Sequence, residues 1–193
     1  MAIKETVEII NAMEAAGVIG RYAIAGAVAA YNYVEPAVTD DLDILISFRE
    51  PHQQTDAGLV TLAPIFSYLK QRGFDQHRKE GIVIAGWPVQ FLPVANDLDA
   101  EALAVAEEVE IAVNETAGSV VQTRILRAEH IVATSLRVGR PRDLIRITQF
   151  LEERAVDIGA LCEVLQRHQL MLAWQSFCRR TGIPDPCAVD LKP

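Results

Sequence analysis

The chain has 193 residues, half of them hydrophobic, and a formal net charge of −8 at pH 7. This length and composition indicate a soluble α/β or α+β protein with one domain, or with a small domain and an appended helical lobe. The negative charge argues against broad electrostatic attraction to nucleic acid, and with no predicted signal peptide, membrane span or membrane partner we expect a cytoplasmic protein.

The first part of the chain mixes helical and strand patterns. Apolar spacing predicts an amphipathic helix over 4–18 with Val7, Ile10, Met13 and Ala16 on one side. The elements predicted next are a strand over 22–25, a helix over 27–33, a strand over 42–48, a polar loop over 49–56 and a helix over 58–72 that ends at Gly73. They are followed by a hairpin of 74–79 with 82–85, a strand over 89–92, a helix over 99–107 with an N-cap near Asp99, and a hairpin of 109–113 with 119–125.

The C-terminal part is predicted to be helical from 128 to 181, and three prolines make the tail irregular. We therefore divide the chain into an α/β core over 1–127, a helical lobe over 128–181 and a tail over 182–193. The apolar side chains of the lobe could pack on the chain's own sheet or form a homodimer face: Leu161, Val164, Leu165, Leu170, Leu172 and Trp174.

Cysteine and histidine usage points away from a metal-bound or disulfide-linked fold. Cys162, Cys178 and Cys187 are odd in number and lack metal-ligand spacing, so we expect reduced thiols. The four histidines are scattered, which argues against a zinc site.

Two carboxylates lie two residues apart in a predicted strand. Asp41 and Asp43 would share one face, whereas Leu42, Ile44 and Ile46 would point into a core. Adjacent acids repel each other, and a bound cation would remove that penalty. Mg²⁺ typically binds one or two carboxylates together with substrate phosphates.

Small residues precede this strand at the start of a predicted helix. Gly26 and Ala27 follow the apolar strand and open the helical run. A helix N-terminus offers unpaired N–H groups, and small residues let a phosphate approach the backbone closely. The sequence therefore predicts a phosphate cradle beside a pair of metal-binding acids.

This pattern resembles the nucleotidyltransferase superfamily of the DNA polymerase β fold, whose signature is a small-residue pair, a spacer and Asp-x-Asp or Asp-x-Glu. Here Gly26-Ala27 is followed by thirteen residues and then by Asp41-Leu42-Asp43. The context Thr39-x-Asp41-x-Asp43 is similar to the bacterial branch of abortive-infection toxin-like and minimal nucleotidyltransferases. The resemblance implies an α+β fold, with a mixed β-sheet, flanking helices and a C-terminal helical segment.

The chain departs from the family pattern at two positions of this site. Ala27 stands where the family usually has Gly or Ser. Gln90, in the strand context Val89-Gln90-Phe91-Leu92, stands where the family has a third carboxylate. An amide is a neutral oxygen donor and a poor Mg²⁺ ligand beside a carboxylate, which favours a structural amide at Gln90 over a metal ligand. Asp97 or Asp99 could supply the acid, although both follow Pro93, where the strand should end.

A second segment also resembles the toxin-like branch. Arg140, Arg142 and Asp143 match a basic residue and a Lys/Arg-Asp pair after a helix, whereas Ser135 stands where relatives often carry lysine. The alternative is an ordinary helix start with surface ion pairs.

The resemblance implies the following site. Asp41 and Asp43 would be catalytic and would hold Mg²⁺, and the nucleotide would contact Gly26, Ala27, Thr39, Arg140 and Arg142. A nucleoside triphosphate would donate a nucleotidyl group to an acceptor that the sequence does not identify: an RNA end, a protein hydroxyl or a small molecule such as an aminoglycoside.

Two other classes of function stay open. A catalytically degenerate relative, with Gln90 in place of the third acid, would act as a nucleotide-binding or protein-interaction module. A structural partner, such as a subunit of a two-component system, would use the helical lobe.

Overall fold

The computed structural model describes residues 3–36, 38–48, 61–112 and 120–188. These residues form eight helices and a seven-stranded mixed sheet, so the α+β prediction is confirmed. The predicted loop over 49–56 and the turn over 114–118 lie outside the described residues. Within the described ranges, every helix is too short or too polar to cross a membrane.

The elements follow the predicted order with shifted boundaries. The helices are α1 (Ile3–Ala15), α2 (Gly26–Ala30), α3 (Ala63–Lys70), α4 (Asp97–Ala104), α5 (Ala128–Val138), α6 (Pro141–Glu152), α7 (Ile158–Arg167) and α8 (Met171–Thr181). The strands are β1 (Tyr22–Ile24), β2 (Leu42–Ile46), β3 (His77–Arg78), β4 (Gly81–Ile84), β5 (Trp87–Pro93), β6 (Glu107–Ala112) and β7 (Val120–Ile125).

The seven strands are arranged in the order β3-β4-β5-β2-β1-β7-β6. Parallel pairing joins β2 to β5 and β1 to β7, and the other neighbours are antiparallel. This order puts β2, which carries Asp43, between β5 and β1.

The chain divides into two compact units. The first comprises Met1–Ala29 and Ala37–Leu126 and contains the whole sheet. The second comprises Ala30–Pro36 and Arg127–Pro193 and contains helices α5 to α8.

Helix α1 packs its predicted apolar side into the first unit. Val7, Ile10 and Met13 are fully buried, as the spacing predicts. Ala16 is exposed, because α1 ends at Ala15 and the chain turns at Gly17, where φ is 72°. A residue beyond the last turn no longer lies on the helix's buried side.

The starts of α3 and α4 lie two or more residues from the predicted ones, and capping chemistry explains the start of α4. Helix α3 begins at Ala63, since residues 61 and 62 are not helical and Pro64 occupies its first turn, a position that tolerates proline. Helix α4 begins at Asp97, and its N-cap is Asn96 rather than Asp99 because the Asn96 side chain accepts from the Asp99 amide.

A tight hairpin between β4 and β5 was not predicted. Its turn is Ala85-Gly86, with positive φ values of 48° and 92°. Two consecutive positive φ values match the twist of a two-residue hairpin. This turn sets the register of β5, which carries Gln90.

The second unit buries most of the apolar side chains considered for a dimer face. Leu161, Val164, Leu165 and Trp174 are buried within the chain, whereas Leu172 is 80% exposed. The four buried residues therefore do not form an apolar face for a second copy.

The expectation of three reduced thiols is wrong for two of them. Cys162 and Cys187 form a disulfide with a Cα–Cα distance of 5.6 Å, and Cys178 is free and buried. Asp185 holds the tail nearby, because its Oδ1 accepts from Trp174 Nε1 at 2.8 Å and from the Cys187 amide at 2.9 Å. The partners are 25 residues apart, and the return of the tail to α7 leaves no periodic signal in the sequence.

Candidate functional site

Asp43 projects from a strand whose other residues are buried. Leu42, Ile44 and Ile46 have no exposed surface, and Asp43 is half-buried. The predicted orientation of the three apolar residues is thus confirmed. The other residues of β2 are buried, so the sheet fixes the position of the Asp43 backbone from which the carboxylate projects.

Asp41 lies one residue before β2 and is also half-buried. Thr39 Oγ1 donates a hydrogen bond to Asp41 Oδ1 at 3.0 Å. The bond joins two side chains that are two residues apart in the loop before β2. Thr39 therefore orients the carboxylate of Asp41, whereas its predicted contact with a nucleotide stays a prediction.

Gly26 lies directly against Asp43. The Ala25 amide donates to the Asp43 carbonyl oxygen at 2.8 Å, which extends the β1–β2 pairing to the residue just before α2. Gly26 has a φ of +61°, and a Cβ built there would come within 3.0 Å of Asp43 Cγ and closer still to its Oδ2. Glycine is therefore required here both by the backbone conformation and by the neighbouring carboxylate.

Ala27 is the second residue of α2 and is half-buried. The first turn of a helix leaves N–H groups without intrahelical partners, which is the property that the predicted phosphate contact needs. The contact itself stays a prediction.

Gln90 lies beside Asp43 in the sheet. The parallel register of β2 and β5 pairs Asp43 with Gln90, so both side chains project from the same face. Gln90 Nε2 donates to Glu80 Oε2 at 3.2 Å. Sequence reasoning missed Glu80, and the Ala85-Gly86 turn was the signal that could have found it, because that turn brings the start of β4 alongside Gln90.

Asp97 and Asp99 stabilise the start of a helix and do not provide a third acid to the site. Asp99 Oδ2 accepts from the Ala95 amide at 3.2 Å and from Asn96 Nδ2 at 2.6 Å, and both acids lie in the first turn of α4. Carboxylates there are favoured by the helix dipole. Among the described residues, no group of three acidic, histidine or cysteine side chains could hold a metal ion.

A surface ion pair stands next to the two candidate acids in sequence. Lys79 Nζ lies 3.0 Å from Asp40 Oδ2, and both side chains are more than half exposed. The hydrogen bond and the charge of Lys79 hold the pKa of Asp40 below its usual value. Because Asp40 is solvated, this pair contributes little to folding.

The predicted basic residues lie in the second unit. Arg140 is the N-cap of α6, where its amide donates to Asp143 Oδ2 at 3.3 Å, and Arg142 is exposed in the first turn. Arg146 Nη1 lies 3.4 Å from Asp143 Oδ1. The helix start of the alternative is present, but the ion pair of Asp143 is formed with Arg146 and is largely buried. A nucleotide contact by Arg140 and Arg142 stays a prediction.

The side-chain oxygen atoms of Asp41, Asp43 and Gln90 are of the chemical type that a hard divalent cation binds. Two carboxylates and one amide side chain supply oxygen atoms, and Mg²⁺ commonly takes only one or two protein carboxylates when phosphates complete its coordination. The missing Cβ of Gly26 leaves room for the backbone and the Asp43 carboxylate to lie in contact.

Comparisons with known proteins give a limited likeness. No protein-family model matches the chain. No curated protein matches it either. The chain is similar to a crystal structure of ANT(2'')-Ia in complex with adenylyl-2''-tobramycin, with 15% identity and a TM-score of 0.42, over 91% of this chain and 97% of that one. It is also similar to a solution structure of the antibiotic-resistance factor ANT(2'')-Ia, with 15% identity and a TM-score of 0.41, over 92% and 95%.

Proposed function

We propose that the chain is a nucleotidyltransferase-like protein that binds a nucleoside triphosphate with Mg²⁺ at Asp41 and Asp43. The observation that carries this proposal is the contact of Gly26 with the Asp43 carboxylate. Gly26, in a left-handed conformation at the start of α2, lies against Asp43 of β2. This contact joins the small-residue pair of the motif to its acidic strand.

The reaction would move a nucleotidyl group to an acceptor. An acceptor oxygen would form a bond to the α-phosphorus, the bond from that phosphorus to the bridging oxygen would break, and pyrophosphate would leave. The divalent cation, when bound, would neutralise charge developing on the phosphates. Asp41 and Asp43 would hold that cation, and Thr39 would keep Asp41 in one orientation through its 3.0 Å hydrogen bond.

The same proposal assigns roles to the surrounding backbone. Amides of Gly26 and Ala27 would contact the β- and γ-phosphates, because the first turn of a helix offers N–H donors. Arg140 and Arg142 are exposed, so their guanidinium groups are accessible to an anion.

The acceptor would be an RNA end, a protein hydroxyl or a small molecule. The test is incubation with each α-³²P-labelled triphosphate and Mg²⁺, with cellular RNA, protein extract and an aminoglycoside as acceptors. We expect labelled product and released pyrophosphate from the wild type and neither from Asp43→Asn. Label transfer that persists in Asp43→Asn would overturn the proposal.

Nucleotide binding without transfer is the second candidate function. Gln90 in the place of the third acid favours it, because a neutral amide binds Mg²⁺ more weakly than a carboxylate. Such a protein would bind triphosphates through Asp41 and Asp43 yet release no pyrophosphate with any acceptor.

A toxic role is a further proposal, which the resemblance to the toxin-like branch suggests. Expression of the wild type would arrest growth, and Asp43→Ala would relieve the arrest. Normal growth with abundant folded wild-type protein would argue against toxicity without affecting the binding proposal.

A further inference from the structure

We propose that Gln90 supplies a third oxygen ligand of the cation site through its Oε1 atom and that Glu80 is the positioning residue that orients the amide. This inference rests on the proposed cation site at Asp41 and Asp43. Gln90, which stands where the family has a third carboxylate, would then be a neutral ligand of fixed orientation.

The sheet places Gln90 between two acids, Glu80 and Asp43. Strand β5 has β4 on one side and β2 on the other. Glu80 immediately precedes β4, and Asp43 is the registered partner of Gln90 on β2. Neighbouring strands lie about 4.8 Å apart, so the Gln90 side chain projects close to Asp43 on their shared face.

The chemistry of the amide then determines whether Nε2 or Oε1 of Gln90 faces Glu80. An ionised carboxylate only accepts hydrogen bonds, so the atom of Gln90 that meets Glu80 must be the Nε2 donor. The observed bond is of this kind, from Gln90 Nε2 to Glu80 Oε2 at 3.2 Å. The Oε1 atom occupies the other arm of the planar amide and is thereby directed away from the Glu80 side, which is the side of β4.

The position of Glu80 also accounts for an amide at position 90. A carboxylate there would meet the Glu80 carboxylate at hydrogen-bonding distance, and the two acids would repel each other. In the present pair, Glu80 is the acid and Gln90 supplies the ligand oxygen.

Exchanging the two residues tests this arrangement directly. The double variant Glu80→Gln/Gln90→Glu keeps the size of both side chains, their hydrogen bond and the net charge, and moves the carboxylate to position 90. The chain offers a matched control on the opposite part of the sheet, where Gln122 Nε2 donates to Glu110 Oε1 at 2.6 Å. Its exchange is Glu110→Gln/Gln122→Glu.

The measurement is Mn²⁺ affinity, read from the electron paramagnetic resonance signal of free Mn²⁺ during titration. We expect the exchange at 80 and 90 to tighten binding about tenfold, because a charged ligand replaces a neutral one. Gln90→Met, which removes the oxygen at similar size, should weaken binding severalfold. Glu80→Gln should also weaken binding, because the amide of Gln90 can then rotate.

The outcomes separate this inference from the proposed function. Equal affinities for the wild type, the exchange and Gln90→Met, together with loss of binding in Asp41→Asn/Asp43→Asn, would overturn the role of Gln90 and leave the cation site standing. Absence of Mn²⁺ binding by the wild type would overturn both. Tightening by the control exchange at 110 and 122 would show a nonspecific effect and would also count against Gln90.

Discussion

Gly26 and Asp43 are in direct contact: a Cβ on Gly26 would come within 3.0 Å of Asp43 Cγ, and Gly26 has a φ of +61°. The two residues lie in neighbouring elements, α2 and β2, that are joined at this point by the hydrogen bond from the Ala25 amide to the Asp43 carbonyl oxygen. The contact ties the small-residue turn to the acid-bearing strand.

Gly26→Ala should damage both folding and ligand binding. The left-handed conformation costs a non-glycine residue about 1–2 kcal/mol, and forcing a methyl group against a packed neighbour adds a further 1–3 kcal/mol or so. We expect a clear fall in the free energy of urea unfolding and loss of triphosphate binding by calorimetry.

Gly73→Ala is the matched control for that variant. Gly73 has a φ of +84°, and a Cβ there would meet nothing within 4 Å. Gly73→Ala should lose only the stability that the left-handed conformation costs a non-glycine residue, and it should keep ligand binding. Equal losses of stability in the two variants, with binding intact in both, would show that the contact between Gly26 and Asp43 is unimportant.

Thr39→Val tests whether orientation of Asp41 matters. The variant keeps the shape of the side chain and removes the hydroxyl that donates to Asp41 Oδ1. A hydrogen bond to a charged group is worth about 1.5–3 kcal/mol, so we expect Mg²⁺-dependent triphosphate binding to weaken by about tenfold or more. Thr39→Ser keeps the hydroxyl and should bind as the wild type does; unchanged binding by Thr39→Val would refute the role.

Glu14→Gln should destabilise the first unit while leaving the site intact. Arg124 forms a bidentate pair with Glu14, with distances of 3.0 and 2.8 Å, and also donates to the Tyr22 carbonyl oxygen. The pair is about four-fifths buried, and the bond to Glu14 raises the pKa of Arg124. We expect a loss of about 2 kcal/mol in the free energy of unfolding.

Glu8→Gln, in the same helix, provides the comparison for Glu14→Gln. Glu8 is half exposed and lies 3.6 Å from Lys4. Such a surface pair contributes less than about 1 kcal/mol. Equal effects of the two substitutions on urea unfolding would contradict the special role of Arg124.

Reduction of Cys162–Cys187 should lower the stability of the second unit. A cross-link that closes a loop of 25 residues stabilises a fold by about 3 kcal/mol in the loop-entropy model. We expect a lower Tm in the presence of a phosphine reductant and no effect of that reductant on Cys162→Ser/Cys187→Ser.

Thiol counting gives an independent check of the disulfide. Unfolded, unreduced protein should react at Cys178 alone, and three reactive thiols would contradict the cross-link. Burial raises the pKa of Cys178, so the folded protein should react slowly at this thiol.

The sequence predicted the features that depend on local pattern. Alternation of polar and apolar residues predicted the burial of Leu42, Ile44 and Ile46, and helical spacing predicted that of Val7, Ile10 and Met13. These predictions succeeded because each buried face is set within one strand or helix.

The features that depend on distant contacts were missed. The pairing of Gln90 with Glu80 requires the β4–β5 register, and the disulfide requires the return of the tail to α7. Neither leaves a period in the sequence. The capping roles of Asn96 and Asp99 were misassigned by three residues, which is within the ambiguity of a run with several capping residue types.

The proposed site for Mg²⁺ and a nucleoside triphosphate is tested by calorimetric titration of ATP, GTP, CTP and UTP, with and without Mg²⁺, into the wild type and Asp41→Asn/Asp43→Asn. Asp40→Asn is the matched control, since it removes a neighbouring carboxylate that pairs with Lys79 on the surface. We expect binding of at least one triphosphate that requires Mg²⁺, persists in Asp40→Asn and is lost in Asp41→Asn/Asp43→Asn. Failure of all four triphosphates to bind the wild type, or equal binding by the wild type and Asp41→Asn/Asp43→Asn, would contradict the proposed site.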